Sequence, residues 1–286
     1  MNSEYITRSL EDCMDALIDY RGKTPKKTDS GIPLITAKIV KNGRILPVNE
    51  YIAADDYEAW MRRGIPQPGD IVMTTEAPLG EVAQLDDRKI ALAQRVITLR
   101  GKPGLLDNGY LKYLLLSKPV QRELLHRASG TTVVGIKQSE LRKLPLTLPP
   151  IKVQIGVAKL LGDIDKKIAN NQSQAQTLES IARAIFKSWF VDFDPVKDKI
   201  EGNQPEGMDA DIATLFPNSF TESDNMLIPK GWTLGVMGDI TTINASAWSA
   251  RKHPESIDYL DLSNLKENII ADIQSYLFSE APSRAR

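Results

Sequence analysis

Apolar residues recur along this chain with two different periods, and each predicts a different kind of element. Over residues 32–101 they come in short runs, "IPLITAKIV", "GDIVMTTEA", "GEVAQL" and "KIALAQRVITL", bounded by Gly, Pro or paired Asp. Such runs predict strands joined by tight turns. The stretch "DNGYLKYLLLSKPVQRELLHRA" (107–128) predicts a helix opened by Asp107 or Asn108 and interrupted near Pro119. Next, "SGTTVVGIKQSELRKLPLTLPP" predicts a turn, a short helix and an extended exit ending at Pro149-Pro150. Residues 1–150 therefore predict an α+β domain.

From residue 151 the period becomes that of one long helix, running to about 191. Val157, Leu161, Ile164, Ile168, Asn171, Ala175, Leu178, Ala182, Ile185 and Trp189 are separated alternately by four and three residues. That alternation is a coiled-coil seam. Leu161, Ile168, Ala175, Ala182 and Trp189 take its a positions, and Ile164, Asn171, Leu178 and Ile185 its d positions. Asn171 breaks the apolar run. The helix end adds Phe186, Phe190, Val191 and Phe193, more apolar surface than one buried face needs, so packing on several sides is expected. Asp194-Pro195 should stop the helix, because a residue before proline is pushed out of the α region.

Beyond it, residues 201–224 contain six acids and no base and read as part of an exposed linker, 196–226. The chain then repeats itself weakly. "GIPLITAKIVKNGRI" (31–45) aligns without gaps to "SIDYLDLSNLKENII" (256–270), and "SLEDCMDAL" (9–17) to "TLGVMGDIT" (233–241). The second copy, 227–286, stops before any counterpart of "GIPQPGDIVMTTEAPLG", which predicts an incomplete second domain.

Composition removes several kinds of chemistry. One cysteine and two histidines argue against an internal disulfide and against a Cys- or His-based metal site. No run approaches a membrane span and the N-terminus has no apolar signal core, so a cytoplasmic protein is expected. There is no G-x-G-x-x-G and no Walker lysine. Asp163 and Asp165 read as charged flanks of the seam, and Asp192 and Asp194 as helix-end residues, rather than as magnesium ligands. Residues 1–150 carry 22 Lys and Arg against 18 Asp and Glu, while the rest carry 14 against 19. That bias permits phosphate contact by the first domain. The loop "YRGKTPKKTDSG" (20–31) gathers Arg21, Lys23, Lys26 and Lys27. Lys38, Thr74, Thr75, Gln94, Arg95, Thr131, Thr132 and Lys137 complete the candidates for DNA contact. Arg, Lys and Gln suit base edges, and hydroxyls mostly position phosphates.

One long stretch is more specific. "KLPLTLPPIKVQIGVAKLLGDIDKKIANNQSQAQTLESIARAIFKSWFVDFDPV" resembles the central region of type I restriction–modification specificity subunits. There, a Leu-Pro-Leu-Pro-Pro exit and a Gln-containing turn lead into a spacer helix ending Phe-Lys-Ser-Trp-Phe-Val-Asp-Phe-Asp-Pro. "PKGW" and "QPGDIVMTT" resemble the start and middle of its recognition domains. The resemblance implies a non-catalytic reader of double-stranded DNA that directs methylation and restriction subunits to a target. It implies no cofactor of its own, with S-adenosylmethionine, ATP and magnesium belonging to the partner subunits. It also implies that Leu161, Ile164, Ile168, Asn171, Leu178, Ile185, Phe186, Trp189 and Phe190 pair with a helix or a partner subunit. The expected organisation is a recognition domain (1–150), a spacer helix (151–195), a linker (196–226) and an incomplete second recognition domain (227–286). Two alternatives remain open: a half-length specificity protein acting as a homodimer, and a coiled-coil scaffold that does not bind DNA.

Overall fold

The computed structural model describes residues 5–20, 22, 24–130, 132–242, 248, 252–266 and 269–283. Arg21, Lys23 and Thr131 lie outside the described residues. The chain forms two compact units, Met1–Glu179 and Ser180–Arg286.

The first unit mixes strands and helices, as its patterning predicts. In chain order it contains β1 (Ile6–Ser9), α1 (Leu10–Cys13), β2 (Met14–Asp19), β3 (Ile32–Ile35), β4 (Val40–Lys41), β5 (Arg44–Ile45) and β6 (Tyr51–Ile52). Then come α2 (Tyr57–Trp60), β7 (Ile71–Thr75), β8 (Leu79–Gln84), β9 (Ala91–Leu92) and β10 (Val96–Gly101). The unit continues with α3 (Asn108–Leu116), α4 (Lys118–Arg127), α5 (Gln138–Arg142), β11 (Pro145–Leu148) and the start of α6 (Ile151–Phe190). Strands β2, β10, β7 and β8 form an antiparallel sheet in that order, and β6, β3 and β9 a second sheet in which β3 and β9 run parallel. Leu10, Ile71, Met73, Leu99, Leu111 and Leu124 fill one core, and Ile18, Leu34, Ile35, Ile52, Tyr57 and Leu92 the other. Asp107 caps α3 by accepting from the Tyr110 amide at 2.9 Å. Pro119 sits in the first turn of α4, so the expected interruption falls at Ser117.

Strand β1 pairs with β11, which returns the chain to its starting edge before α6 departs. Gln154, in the first turn of α6, is buried and binds three backbone groups. It accepts from the Asp107 amide at 3.0 Å and donates to the carbonyls of Leu105 at 3.0 Å and Pro149 at 2.8 Å. Asp165 does not read out as a solvated flank. Its carboxylate takes Lys112 Nζ at 2.6 Å and the Tyr113 hydroxyl at 2.8 Å. Burial pushes the Asp165 carboxyl up, but Lys112 and Tyr113 outweigh it and hold the group below the usual range. Arg44 reaches Gln172 at 2.5 Å. Residues 154, 165 and 172 are 11 and 7 apart, so they share one helix face, and that face is docked by polar pins.

The seam lies beside this docked stripe. Leu161 is half-buried, whereas Ile164, Ile168, Asn171, Leu178 and Ile185 are exposed. The helical end differs from expectation. Trp189 and Phe190 pack on this chain: their rings lie 6.0 and 5.9 Å from Phe216, and Phe190 and Phe193 lie 6.2 and 5.6 Å from Trp232. Phe186 and Val191 are exposed, and Phe190 itself keeps 42% of its surface accessible.

In the second unit, α7 (Asp194–Ile200) starts with Pro195 in its first turn, followed by α8 (Ala210–Ala213), β12 (Phe220–Ser223) and β13 (Met226–Pro229). The acidic stretch expected as a linker contributes Met208, Ala213 and Phe216 to a small core with Val196. Its apolar residues find the aromatic helix end, and Lys199 ties it down through the Ala213 carbonyl at 3.0 Å. The unit ends with α9 (Met237–Ile240), β14 (Ser256–Tyr259), β15 (Leu265–Lys266), β16 (Ile269–Ile270) and β17 (Gln274–Leu277). The hairpin β15–β16 falls 225 positions after β4–β5, at the offset of the 31–45 alignment. The other pairing shifts by three. The turn after Ser9 corresponds to the turn after Val236, an offset of 227 rather than 224.

Candidate nucleic-acid interface

Three segments distant in sequence line one concavity of the first unit, about 240 Å³ in volume. The basic loop supplies Thr24, Pro25 and Lys27, the exit from β3 supplies Thr36, Ala37 and Lys38, and the turn between β9 and β10 supplies Ala93, Gln94 and Arg95. Backbone pairing sets the arrangement. The Ala93 amide donates to the Ile35 carbonyl at 2.9 Å, joining the second and third segments. The Thr28 amide donates to the Tyr51 carbonyl at 2.9 Å, tying the loop to β6. Gly31 permits that close approach: at φ +128 a Cβ would stand 2.3 Å from the Ile52 carbonyl oxygen.

Two acids enter the cleft region, and neither stands among the residues expected to contact DNA. Glu50 Oε2 lies 2.7 Å from Lys27 Nζ and its Oε1 3.6 Å from Lys38 Nζ. The Lys27 contact is close but poorly directed for a hydrogen bond, so that buried oxygen is compensated by charge. Lys27, and then Lys38, hold the Glu50 carboxyl below its usual range against the opposing effect of burial. Glu76 Oε1 lies 3.0 Å from Arg95 Nε. The carboxylate in "MTTEAPLG" stands beside paired hydroxyls next to a strand, whereas the lone Glu in "PVNEYI" gave no periodicity or motif to find it by.

The remaining candidates separate. Lys26 faces a neighbouring concavity of about 220 Å³ beside Trp60, Asp56 and Ala59. Lys137 lines a third of about 180 Å³ with Thr75, Glu76 and Gly135, and Thr132 is exposed near it. Thr74 and Thr75 are corrected from surface readers to braces: they are 0% and 2% exposed. Thr74 Oγ1 accepts from the Glu81 amide at 2.9 Å, and Thr75 Oγ1 donates to the Arg95 carbonyl at 3.3 Å. Sitting on the central strand β7, both are covered from either side. Thr75 nonetheless places Arg95, whose carbonyl also accepts the Thr75 amide at 3.0 Å.

Among the described residues, no three His, Cys, Asp or Glu side chains converge as a metal would require, and no helix is long and apolar enough to cross a membrane. The family model described as the type I restriction modification DNA specificity domain matches residues 2–180. This chain belongs to that family. Two curated relatives are similar over part of the chain. The type I restriction enzyme MjaIX specificity subunit of Methanocaldococcus jannaschii is 29% identical, over 63% of this chain and 37% of its own length. The HindI specificity subunit of Haemophilus influenzae is 26% identical, over 51% of this chain and 40% of its own length. The chain thus spans about two fifths of these relatives. The crystal structure of a type I restriction–modification S subunit from M. genitalium overlays with a TM-score of 0.46 at 20% identity, covering 70% of this chain and 46% of that one. Family membership disfavours the scaffold that does not bind DNA.

Proposed function

We propose that this chain is a sequence-reading subunit of a type I restriction–modification system, without catalysis of its own. The recognition domain reads one stretch of double-stranded DNA, and α6 carries it as a spacer. The observation that carries this reading is the convergence of Lys27, Lys38, Gln94 and Arg95 from three separate segments on one concave face. Two long cations for phosphates beside an amide and a guanidinium for base edges is the division of labour that groove reading needs. Its partners are a methylation subunit, supplying S-adenosylmethionine chemistry, and a restriction subunit, supplying ATP and magnesium chemistry. The protein acts in the cytoplasm, where such an assembly meets DNA.

The test is salt-dependent binding of duplex DNA by the methylation complex built on this chain. Lys27→Ala with Lys38→Ala should weaken binding to every sequence and reduce the salt slope by one phosphate's worth, about 0.9, because Glu50 already engages Lys27. An unchanged slope would remove the cleft from the DNA interface. Sequencing methylated sites with and without the gene would identify the target.

A second reading, self-association through α6, is favoured by the exposed seam: Ile164, Ile168, Leu178 and Ile185 are 48%, 43%, 66% and 42% accessible. Helices with such a seam gain roughly 1.5–3 kcal/mol for each large side chain they cover. Equilibrium sedimentation at tens of micromolar decides it, a monomer excluding the homodimer.

A further inference from the structure

The cleft proposed to bind DNA is lined in part by a carboxylate, that of Glu50. A purely phosphate-binding surface gains nothing from Glu50, because an acid beside two lysines cancels charge that the DNA backbone would use. Glu50 is also no chance surface pair. Its carbonyl accepts the Leu34 amide at 2.9 Å, and that of the next residue, Tyr51, accepts the Thr28 amide at 2.9 Å. The acid and the basic loop are thus fixed to the same edge strand, and Lys27 follows directly from that anchor. The Glu50 side chain is 21% exposed, against 43% for Lys27 and 80% for Lys38. One carboxylate oxygen, Oε2, is buried against Lys27. The other, Oε1, has only Lys38 among the described residues, at 3.6 Å and beyond hydrogen-bond reach. A carboxylate with one oxygen buried against a lysine, on a residue that lines the cleft, is a preorganised acceptor.

We infer that Glu50 is a specificity-determining residue, accepting a hydrogen bond through Oε1 from an exocyclic amine of a base, cytosine N4 or adenine N6. This rests on the cleft being the DNA face. The chemistry works in both directions. An amine-bearing edge satisfies the acceptor, whereas a thymine O4 or guanine O6 at the same place sets oxygen against carboxylate and is rejected. Lys27 fixes the rotamer, and Lys38, the most exposed of the three, remains free to follow a phosphate. Arg95, positioned by Glu76, reads beside it.

The experiment selects duplexes from a random-sequence pool with the full 286-residue chain, and measures the salt slope on one selected and one scrambled duplex. Glu50→Gln should lose preference at a single position, by roughly tenfold or more, because an amide presents either a donor or an acceptor. Its salt slope should steepen by about 0.9, one phosphate's worth, as a lysine is released. Glu50→Asp keeps the charge but withdraws the oxygen by one methylene, so the preference should fall while the slope stays. That second variant also separates reading from any folding defect of the first. Full retention of preference in both variants would overturn the inference and leave Glu50 a counterion only. Lys27→Ala and Gln94→Ala distinguish the deeper failure: if these too change neither slope nor preference, or the wild type enriches nothing, the cleft is not the DNA face. If they do alter binding and the Glu50 variants do not, only the role of Glu50 falls.

Discussion

Residues 31–45 and the described residues of 256–270 share turn and hairpin hydrogen bonds and then meet different surroundings. Leu46 N donates to Ile39 O at 2.7 Å, and 225 positions later Ala271 N donates to Asn264 O at 2.7 Å. The turns before each hairpin match as well, Ile39 N to Thr36 O at 3.2 Å and Asn264 N to Asp261 O at 2.9 Å. Burial matches only at the strand: Ile32 and Ile257 are 9% and 5% exposed, whereas Ala37 and Val40 are 6% and 1% exposed against 80% and 49% for their counterparts Leu262 and Leu265. In the first copy, β3 has β6 on one edge and β9 on the other. In the second, β14 has β17 alone among the described residues. Hairpins and turns are therefore a local property of the sequence, while the core needs partner strands further along the chain, with Ile32 opposite Ile52 and Leu34 opposite Ala91 in the first copy.

The largest contrast should come from truncating the apolar side chains of the two copies. Leu34→Ala empties a site with no exposure and should cost about 2–5 kcal/mol. Leu262→Ala, at 80% exposure, should stay within about 0.5 kcal/mol. Hydrogen exchange of amides in β3 and β14 measures both locally. Comparable losses in the two copies would mean that the second is covered in solution.

A smaller loss should follow Asp70→Asn. Asp70 is fully buried and takes Arg100 through two hydrogen bonds, both 2.8 Å, while its Oδ2 also caps the Gln67 amide at 2.8 Å. Losing the charge leaves Arg100 poorly paired, at about 2 kcal/mol because that guanidinium retains some solvent contact. Urea unfolding followed by circular dichroism reads it, and a neutral result would show that Arg100 finds Asp15, now 3.9 Å away.

Most of the first unit was legible because strand runs, Pro119 and the exit at Pro149-Pro150 are each local signals. The long helix was legible to its last turn, since a 3.5-residue period over nine steps leaves little choice of phase. The contacts of the aromatic end within this chain were not legible, because Trp189 and Phe190 have the same spacing whether they face a partner or Phe216. The acidic stretch hid its core residues, as Met208, Ala213 and Phe216 follow no period. Within the site, Lys27, Lys38, Gln94 and Arg95 were recognisable by residue type, but their meeting depends on the β3–β9 pairing. Thr74 and Thr75 had the right chemistry on a strand covered from both sides, and Glu50 had no pattern at all.

Gly43 offers a finer comparison, because Asn42 and Gly43 both take positive φ, 51° and 77°, in the β4–β5 turn. Gly43→Ala would place its Cβ in ordinary contact with Lys112 Cε at 3.4 Å and Leu116 at 3.5 Å. Space is therefore available, and the cost is the left-handed backbone itself, about 1 kcal/mol. Calorimetry should show a Tm fall of a few degrees. No fall would mean that the turn relaxes, as a hairpin without β8 beneath it could.

The smallest expected effect is an acid sensitivity confined to the first copy. Glu50 carries a folded carboxyl held low by Lys27, and the aligned position 275 is a serine, as position 263 is opposite Lys38. With the folded value depressed, the unfolded chain binds more protons as acid is added. The pair's contribution is then complete above the ordinary glutamate value near ~4.3, and is lost as pH falls through the lower folded value. Both partners are partly exposed, so the contribution should be below about 1 kcal/mol. Glu50→Gln should flatten the stability curve between neutral pH and the acid limb by that amount while leaving exchange in β14 unchanged. An identical acid limb in wild type and variant would show that solvent screens the Lys27 contact completely, and the first copy would then owe its advantage over the second to apolar burial alone.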